Sequence, residues 1–259
     1  MNILERFSLK DKVVVLTGGG GLYGRQLTAA LAEAGARLVI ASRNQARLQE
    51  IARAQVQRGF SVACERLDQG EENSVLALRD KVLQQFGRVD GLVNNSVLRP
   101  MKSLDAPVTA WEESLRVNAT GVFLMTRAFG RVMLDQKGGS IVNIGSMMGM
   151  VGPSLEFYEG ADMGTPAPDY FFHKGGMINL TRYFASVFGL GAVRVNCVSP
   201  GGCFNHQPEP FLRRYNRRTM LGRMAGETDL GGAVVFLLSD AARYITGVNL
   251  PVDGGYTAK

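Results

Sequence analysis

The sequence predicts an α/β fold: a doubly wound parallel sheet of about seven strands with helices on both faces. Short apolar runs alternate with helical patterns along the chain, the order that produces βα units and a parallel sheet. The first such run passes through a glycine-rich turn straight into a helix and then a second strand. A length of 259 residues, 46% hydrophobic and 20% charged, suits one large domain, 1–259, able to bury a substantial core.

The elements follow in order. Residues 12–17 form a buried strand that runs into Gly18-Gly19-Gly20-Gly21-Leu22-Tyr23-Gly24. Residues 26–34 read as a helix closed by Gly35, and residues 36–41 as the second strand. Strand, glycine turn, helix and strand together make the setting of a dinucleotide-binding fingerprint. Glycines let a pyrophosphate approach the backbone, and the helix start offers free N–H groups at a positive dipole end. Without that setting the turn would be only a flexible connection. Further strands are expected at 60–66, 89–94, 140–145, 192–198 and 248–252, and helices at 44–58, 71–86, 108–136, 169–188 and 228–238. Segments 147–168 and 201–210 lack a regular pattern. Both follow strands, which puts them at the carboxyl edge of the sheet, where ligands bind in such folds.

Several classes are disfavoured. The net charge of +6 and pI of 9.4 could point to nucleic acid, but no nucleic-acid-binding motif is present. Arg43, Arg47, Arg53 and Arg58 fall at helical spacing, as on a solvated face. An anionic small molecule is the better partner for the surplus charge. No apolar run approaches the ~20 residues of a membrane span, and no signal-peptide pattern opens the chain. Cys64, Cys197 and Cys203 form neither a disulfide framework nor a zinc pattern, and His173 and His206 are too few for a histidine-rich metal site. The expectation is a cytoplasmic protein without metal, membrane or nucleic-acid partners.

Chemistry centres on Tyr170 and Lys174. Four residues apart on a helix, they share a face. A phenol has an unperturbed pKa near ~10, and a nearby ammonium lowers it. The pair can therefore give or take a proton in an alcohol/carbonyl reaction. Of the seven tyrosines only Tyr170 has Lys four places on, although an exposed helical pair would look the same.

With Thr17-Gly18…Gly24, Asp68, Asn94-Asn95, Asn118-Ala119-Thr120-Gly121, Ser146 ending the run from Ile141, Tyr170…Lys174, Arg194…Gly201 and Ile245…Gly255 in this order, the chain resembles the short-chain dehydrogenase/reductase family over nearly its whole length. The resemblance is to its compact single-domain, Rossmann-type branch. It implies an Asn118-Ser146-Tyr170-Lys174 tetrad. Tyr170 is then the general acid in reduction and the base in oxidation, and Lys174 lowers its pKa and holds the nicotinamide ribose. Ser146 bonds the substrate oxygen, and Asn118 holds a helix irregularity and a proton-relaying water. Plainer roles are a helix break for Asn118 and backbone satisfaction for Ser146. The implied cofactor contacts are Gly18, Gly20, Gly21, Leu22, Tyr23, Ser42, Arg43, Asp68 and Asn94, with Tyr170 and Lys174.

The chain departs from the family pattern in four places. Leu22 replaces a middle glycine. Ser96-Val97 follows Asn94-Asn95 in place of Ala-Gly. Asn205 stands where Thr is frequent. Ser146 and Tyr170 lie 24 positions apart, a longer interval than usual. The added segment, 151–168, mixes carboxylates with aromatics. It suits either a polyhydroxylated or amino-bearing substrate or a subunit contact. With 207–218 it strengthens a resemblance to flagellin-modification-type oxidoreductases, which implies a nonulosonic, sialic-acid-like sugar as a substrate class. Arg213, Arg214, Arg217 and Arg218 could meet a carboxylate or phosphate, or form a solvated face.

The expected function is interconversion of a secondary alcohol and a ketone with NADP or NAD. Ser42 puts no carboxylate against a 2′-phosphate and Arg43 offers it a fork of donors, which favours NADP. Rivals are an inactive dinucleotide sensor, against which the complete tetrad argues, and an epimerase or dehydratase, for which the chain is short. A homodimer or homotetramer is expected. Its contacts would come from apolar residues of the helices at 108–136 and 169–188: Phe123, Leu124, Met125, Phe129, Met177, Ile178, Leu180, Phe184 and Val187.

Overall fold

A computed structural model describes residues 2–259. Seven strands form one parallel sheet in the order β3-β2-β1-β4-β5-β6-β7. They are β1 (Val13–Thr17), β2 (Arg37–Ser42), β3 (Val62–Arg66), β4 (Gly91–Asn94), β5 (Gly139–Ile144), β6 (Val193–Pro200) and β7 (Asn249–Val252). The helices are α1 (Leu22–Glu33), α2 (Gln45–Gln57), α3 (Glu72–Phe86), α4 (Val108–Leu115), α5 (Gly121–Asp135), α6 (Pro168–Phe188), α7 (Glu209–Arg218) and α8 (Gly231–Leu238). Among the described residues no helix is long and apolar enough to cross a membrane.

The period-2 alternation of strand side chains divides the core. Val13, Val15, Leu92 and Ile141 face α3, α5 and α6. Val14, Leu16, Val93 and Val142 face α1, α2 and α8. A strand covered by helices on both sides needs apolar residues on both sides, hence the unbroken Val-Val-Val-Leu of β1. Most predicted ranges shift by one to three residues, and α1 starts four residues earlier than expected. One helix changes character: 108–136 is α4 and α5 joined by a π turn at Arg116–Thr120.

The order in which strands are added reverses between β1 and β4, which run parallel, opening the crevice where ligands bind in such folds. Asn95 closes its floor. Its backbone N–H donates to Thr17 Oγ1 at 3.0 Å, and its Nδ2 donates to the carbonyls of Thr17 and Gly18 at 3.0 and 3.1 Å. The two unpatterned segments also meet. Short turns at Met147–Gly149 and Leu155–Tyr158 pack on α7, and Met147, Phe157, Phe211, Tyr215, Met224 and Tyr256 make a third apolar cluster.

Candidate active site

A cavity of about 970 Å³ runs along the carboxyl edge, from the glycine turn to the segment after β5. At one end the wall is Gly18, Gly20, Gly21, Leu22 and Tyr23, with Ser42, Arg43 and Asp68 beside them. Gly18 has φ +68°, a conformation glycine adopts without strain. Gly24, not among the predicted contacts, also lines the cavity; a Cβ there would overlap the Gly18 carbonyl. Leu22 is tolerated because it is the first residue of α1, after Gly21 in extended conformation as the cap. The freedom needed for the turn sits at Gly18. Tyr23 reaches across the crevice and donates its hydroxyl to the Gly201 carbonyl at 2.7 Å, tying the turn to the loop after β6.

Sequence reading placed Arg47 on a solvated face, but the structure places it in the cavity wall. Its Cδ lies 3.4 Å from where a Cβ on Gly20 would stand. Asn44, capping α2, accepts a hydrogen bond from the Arg47 backbone N–H at 3.1 Å. Arg43 after β2 and Arg47 on α2 thus both line this end of the cavity. Nothing in its spacing distinguished Arg47 from Arg53 or Arg58.

Asn94 requires a correction. Expected at the cofactor, it is buried away from the cavity, its Nδ2 donating to Thr126 Oγ1 at 3.0 Å and to Asn143 Oδ1 at 2.8 Å. It shares its strand face with Leu92, beneath α5. Asn95 is the residue that reaches the wall.

At the far end Ser146, Tyr170 and Lys174 converge on the cavity. Ser146 follows β5 and accepts the Met148 backbone N–H at 3.1 Å, which orients its hydroxyl. Pro168 at the first position of α6 supplies a φ suited to a helix start. Tyr170 and Lys174 then stand one turn apart. The Lys174 ammonium is buried, donates to the Ile144 carbonyl at 2.5 Å and lies 5.8 Å from the Tyr170 ring centre. Burial pushes the Lys174 pKa down, opposed by Tyr170. For Tyr170, burial would raise the phenol pKa. Lys174 and Arg99 charges, with hydrogen-bonding pull from Ser146 and Arg99, outweigh it and hold the phenol below its ordinary value. Burial pushes His173 down to about 3, with Lys174 and Arg99 adding to the effect, so its ring is neutral near pH 7.

Asn118 does not line the cavity. It sits in the π turn, its Oδ1 accepting from Leu98 N–H at 2.8 Å and its Nδ2 donating to the Leu98 carbonyl at 2.7 Å. Stapling that loop explains why the helix widens here. Asn118 Nδ2 also donates to Ser114 Oγ at 3.0 Å, and Ser114 donates to the buried Asp169 carboxylate at 2.5 Å. This chain joins Asn118 to the residue preceding Tyr170.

The side wall comes from the segment after β5 and from α7, through Phe157, Tyr158, Met163 and Phe211. The segment's carboxylates Glu156, Glu159 and Asp162 are exposed and outside the wall. Arg213, Arg214, Arg217 and Arg218 are outside it too; Arg214 donates to the Glu159 carbonyl, and Arg218 stacks on Tyr256. Asn205 lines the cavity, its backbone N–H donating to Gln207 Oε1 at 2.8 Å. Sequence reading also missed Arg99 and Lys102, in the loop after β4. A basic residue just beyond a strand's carboxyl end was their only signal.

Comparison with known proteins gives consistent matches. A family model described as enoyl-(acyl carrier protein) reductase matches residues 23–257. A 2-(S)-hydroxypropyl-CoM dehydrogenase of Xanthobacter autotrophicus is 34% identical over 96% of this chain and 98% of its own length. A galactitol 2-dehydrogenase (L-tagatose-forming) of Cereibacter sphaeroides is 32% identical, covering 97% of both. A gluconate 5-dehydrogenase from Burkholderia cenocepacia, solved in complex with NADP and tartrate, superposes with a TM-score of 0.90 at 30% identity, covering 100% of both chains.

Proposed function

The chain belongs to the short-chain dehydrogenase/reductase family, and from that premise we propose an NADP(H)-dependent oxidoreductase that interconverts a secondary alcohol and a ketone on a small, sugar-like substrate. The observation that carries this reading is the meeting of Ser146, Tyr170 and Lys174 in one cavity that continues to a glycine-lined helix start.

The residues present fit a dinucleotide. Gly24 lets α1 start directly against the backbone of the turn, where a Cβ would overlap the Gly18 carbonyl, and the first N–H groups of α1 have no partner within the helix. Gly18, Gly20, Gly21 and Tyr23 would hold the pyrophosphate, Ser42, Arg43 and Arg47 the adenosine end, and Tyr170 and Lys174 the nicotinamide ribose. When bound, the dinucleotide supplies or accepts the hydride. Tyr170 moves the proton to or from the substrate oxygen, and Ser146 donates a hydrogen bond to that oxygen as charge develops. Asn118 fixes the loop that carries Leu98 and Arg99. A panel of ketones with NADPH tests the reading: a protein that binds NADPH and oxidises it with none of them is a sensor.

Arg43 and Arg47 favour the 2′-phosphate of NADP, as Ser42 sets no carboxylate against it. The parent should bind NADPH about tenfold or more tighter than NADH. Arg43→Ala and Arg47→Ala should each weaken NADPH by about tenfold and leave NADH nearly unchanged. Equal or tighter NADH binding by the parent would reverse the choice.

Within the family, 151–168 and α7 support the flagellin-modification-type subgroup and a nonulosonic-type acid as the finer reading. A homodimer or homotetramer would use α5 and α6. Of the nine apolar residues expected to contribute, six are core, whereas Phe123 and Val187 are exposed together with Phe172 and Tyr183. We place the protein in the cytoplasm, where the free thiols Cys64, Cys197 and Cys203 would stay reduced.

A further inference from the structure

Two cations at the substrate end have no acidic partner within salt-bridge distance among the described residues: Arg99 and Lys102. Lys102 donates to the Arg99 carbonyl at 2.9 Å, so the loop brings both to the mouth. The one carboxylate in this part of the wall, Asp169, is buried and takes the Ser114 hydroxyl. Lys174 is turned to the Ile144 carbonyl. The exposed charge facing the substrate space is therefore positive.

Arg99 is also placed with respect to the chemistry. Its guanidinium carbon lies 4.3 Å from the centre of the Tyr170 ring. A guanidinium has five N–H donors, so one that sits over the ring and bonds the Tyr170 hydroxyl keeps donors for a carboxylate. We propose that Arg99 binds a carboxylate of the substrate, with Lys102 assisting at the mouth, and that the substrate is a hydroxy acid or the matching keto acid. The acid group lies a few carbons from the reacting carbinol. This rests on the reading of Tyr170 as the proton-transfer group.

The carboxylate takes no part in bond making. In oxidation the carbinol C–H pair leaves as hydride to the dinucleotide, the O–H proton passes to Tyr170, and the C=O bond forms. The anion does change the base. Arg99 is one of the cations that hold the Tyr170 phenol down, and an anion seated on it cancels part of that pull. Tyr170 should then titrate higher with an acid substrate bound than in the free enzyme. A neutral polyol leaves the two values alike.

The test compares acids with uncharged polyols of equal length, tartrate with threitol and gluconate with the hexitol, in the NADP-loaded enzyme. Calorimetry reads binding, and steady-state kinetics reads pH profiles. In calorimetry Arg99→Ala should weaken acid binding by about ten- to hundredfold and leave polyol binding and the NADPH dissociation constant within about twofold. In kinetics it should move the pH midpoints of both series upward, because Tyr170 loses a neighbouring cation, and abolish the difference between the kcat and kcat/KM midpoints for the acids. Arg99→Lys should restore part of the acid affinity but not the bidentate preference. Polyols bound as well as acids by the parent, no acid bound by it, or equal losses of binding on both series in Arg99→Ala would overturn the proposal. Failure of the underlying reading looks different: Tyr170→Phe would then keep turnover, whatever Arg99 does.

Discussion

Tyr170→Phe should lower turnover by about 10²- to 10⁴-fold and leave NADPH affinity nearly intact. The substitution removes one oxygen. The ring remains, with its stack against Arg99 and its edge contact to His173 at 5.2 Å between centroids, so the start of α6 keeps its packing. The transferable proton goes, with the hydroxyl's bonds to Ser146 and Arg99 and its share of the nicotinamide ribose, which Lys174 would still hold. The parent enzyme should show the matching pH dependence. Oxidation needs the phenolate, so kcat/KM in that direction rises with pH through the lowered Tyr170 pKa and levels off above it. Reduction needs the phenol and falls over the same range. Single-turnover measurements with parent and variant, at several pH values, check both. Activity within about tenfold of the parent would remove Tyr170 from the chemistry.

Gly24→Ala should damage stability and cofactor binding together. The added methyl would meet the Gly18 carbonyl and stand 2.8 Å from the Gly19 carbonyl carbon. These are backbone atoms, with no rotamer to give way. Either α1 moves off the turn or the turn opens. The first costs about 1–3 kcal/mol of packing, and the second misaligns the N–H groups that face the cavity. Thermal unfolding with and without NADPH would show a lowered midpoint and a smaller stabilisation by the ligand. An unchanged midpoint and unchanged affinity would mean that helix and turn are not packed as described.

The sheet was legible in the sequence because its physics is local. Apolar runs such as Val13-Val14-Val15-Leu16, separated by helical patterns, admit few arrangements. The glycine turn and the Tyr170–Lys174 pair were legible because their spacing is the geometry. What depended on contacts between distant elements was not. Asn94 and Asn95 are neighbours of one type, and only strand parity decides that Asn94 points with Leu92 into the core. Arg47 repeats at helical spacing like its solvated neighbours, but the position of α2 beside the turn brings it to the cavity. The segment after β5 mixes carboxylates with aromatics, and only the fold shows that Phe157 and Tyr158 dock on α7 while the carboxylates stay outside. The π turn at Asn118 came from resemblance, since its partner, the Leu98 backbone, is not a pattern in any one stretch of sequence.

The apolar cluster of Phe157, Phe211, Tyr215 and Tyr256 bears on how such a protein can diversify. It is separate from the two clusters that clamp the sheet. A substitution that reshapes this wall is absorbed by a small, nearly self-contained patch, while the glycine cradle and the strands beneath it keep their own packing. Distant, independent sites add in their effects on stability, whereas neighbours couple. Pocket shape can therefore drift over many generations at little risk to the hydride-transfer machinery, and a laboratory library confined to the wall inherits the same insulation.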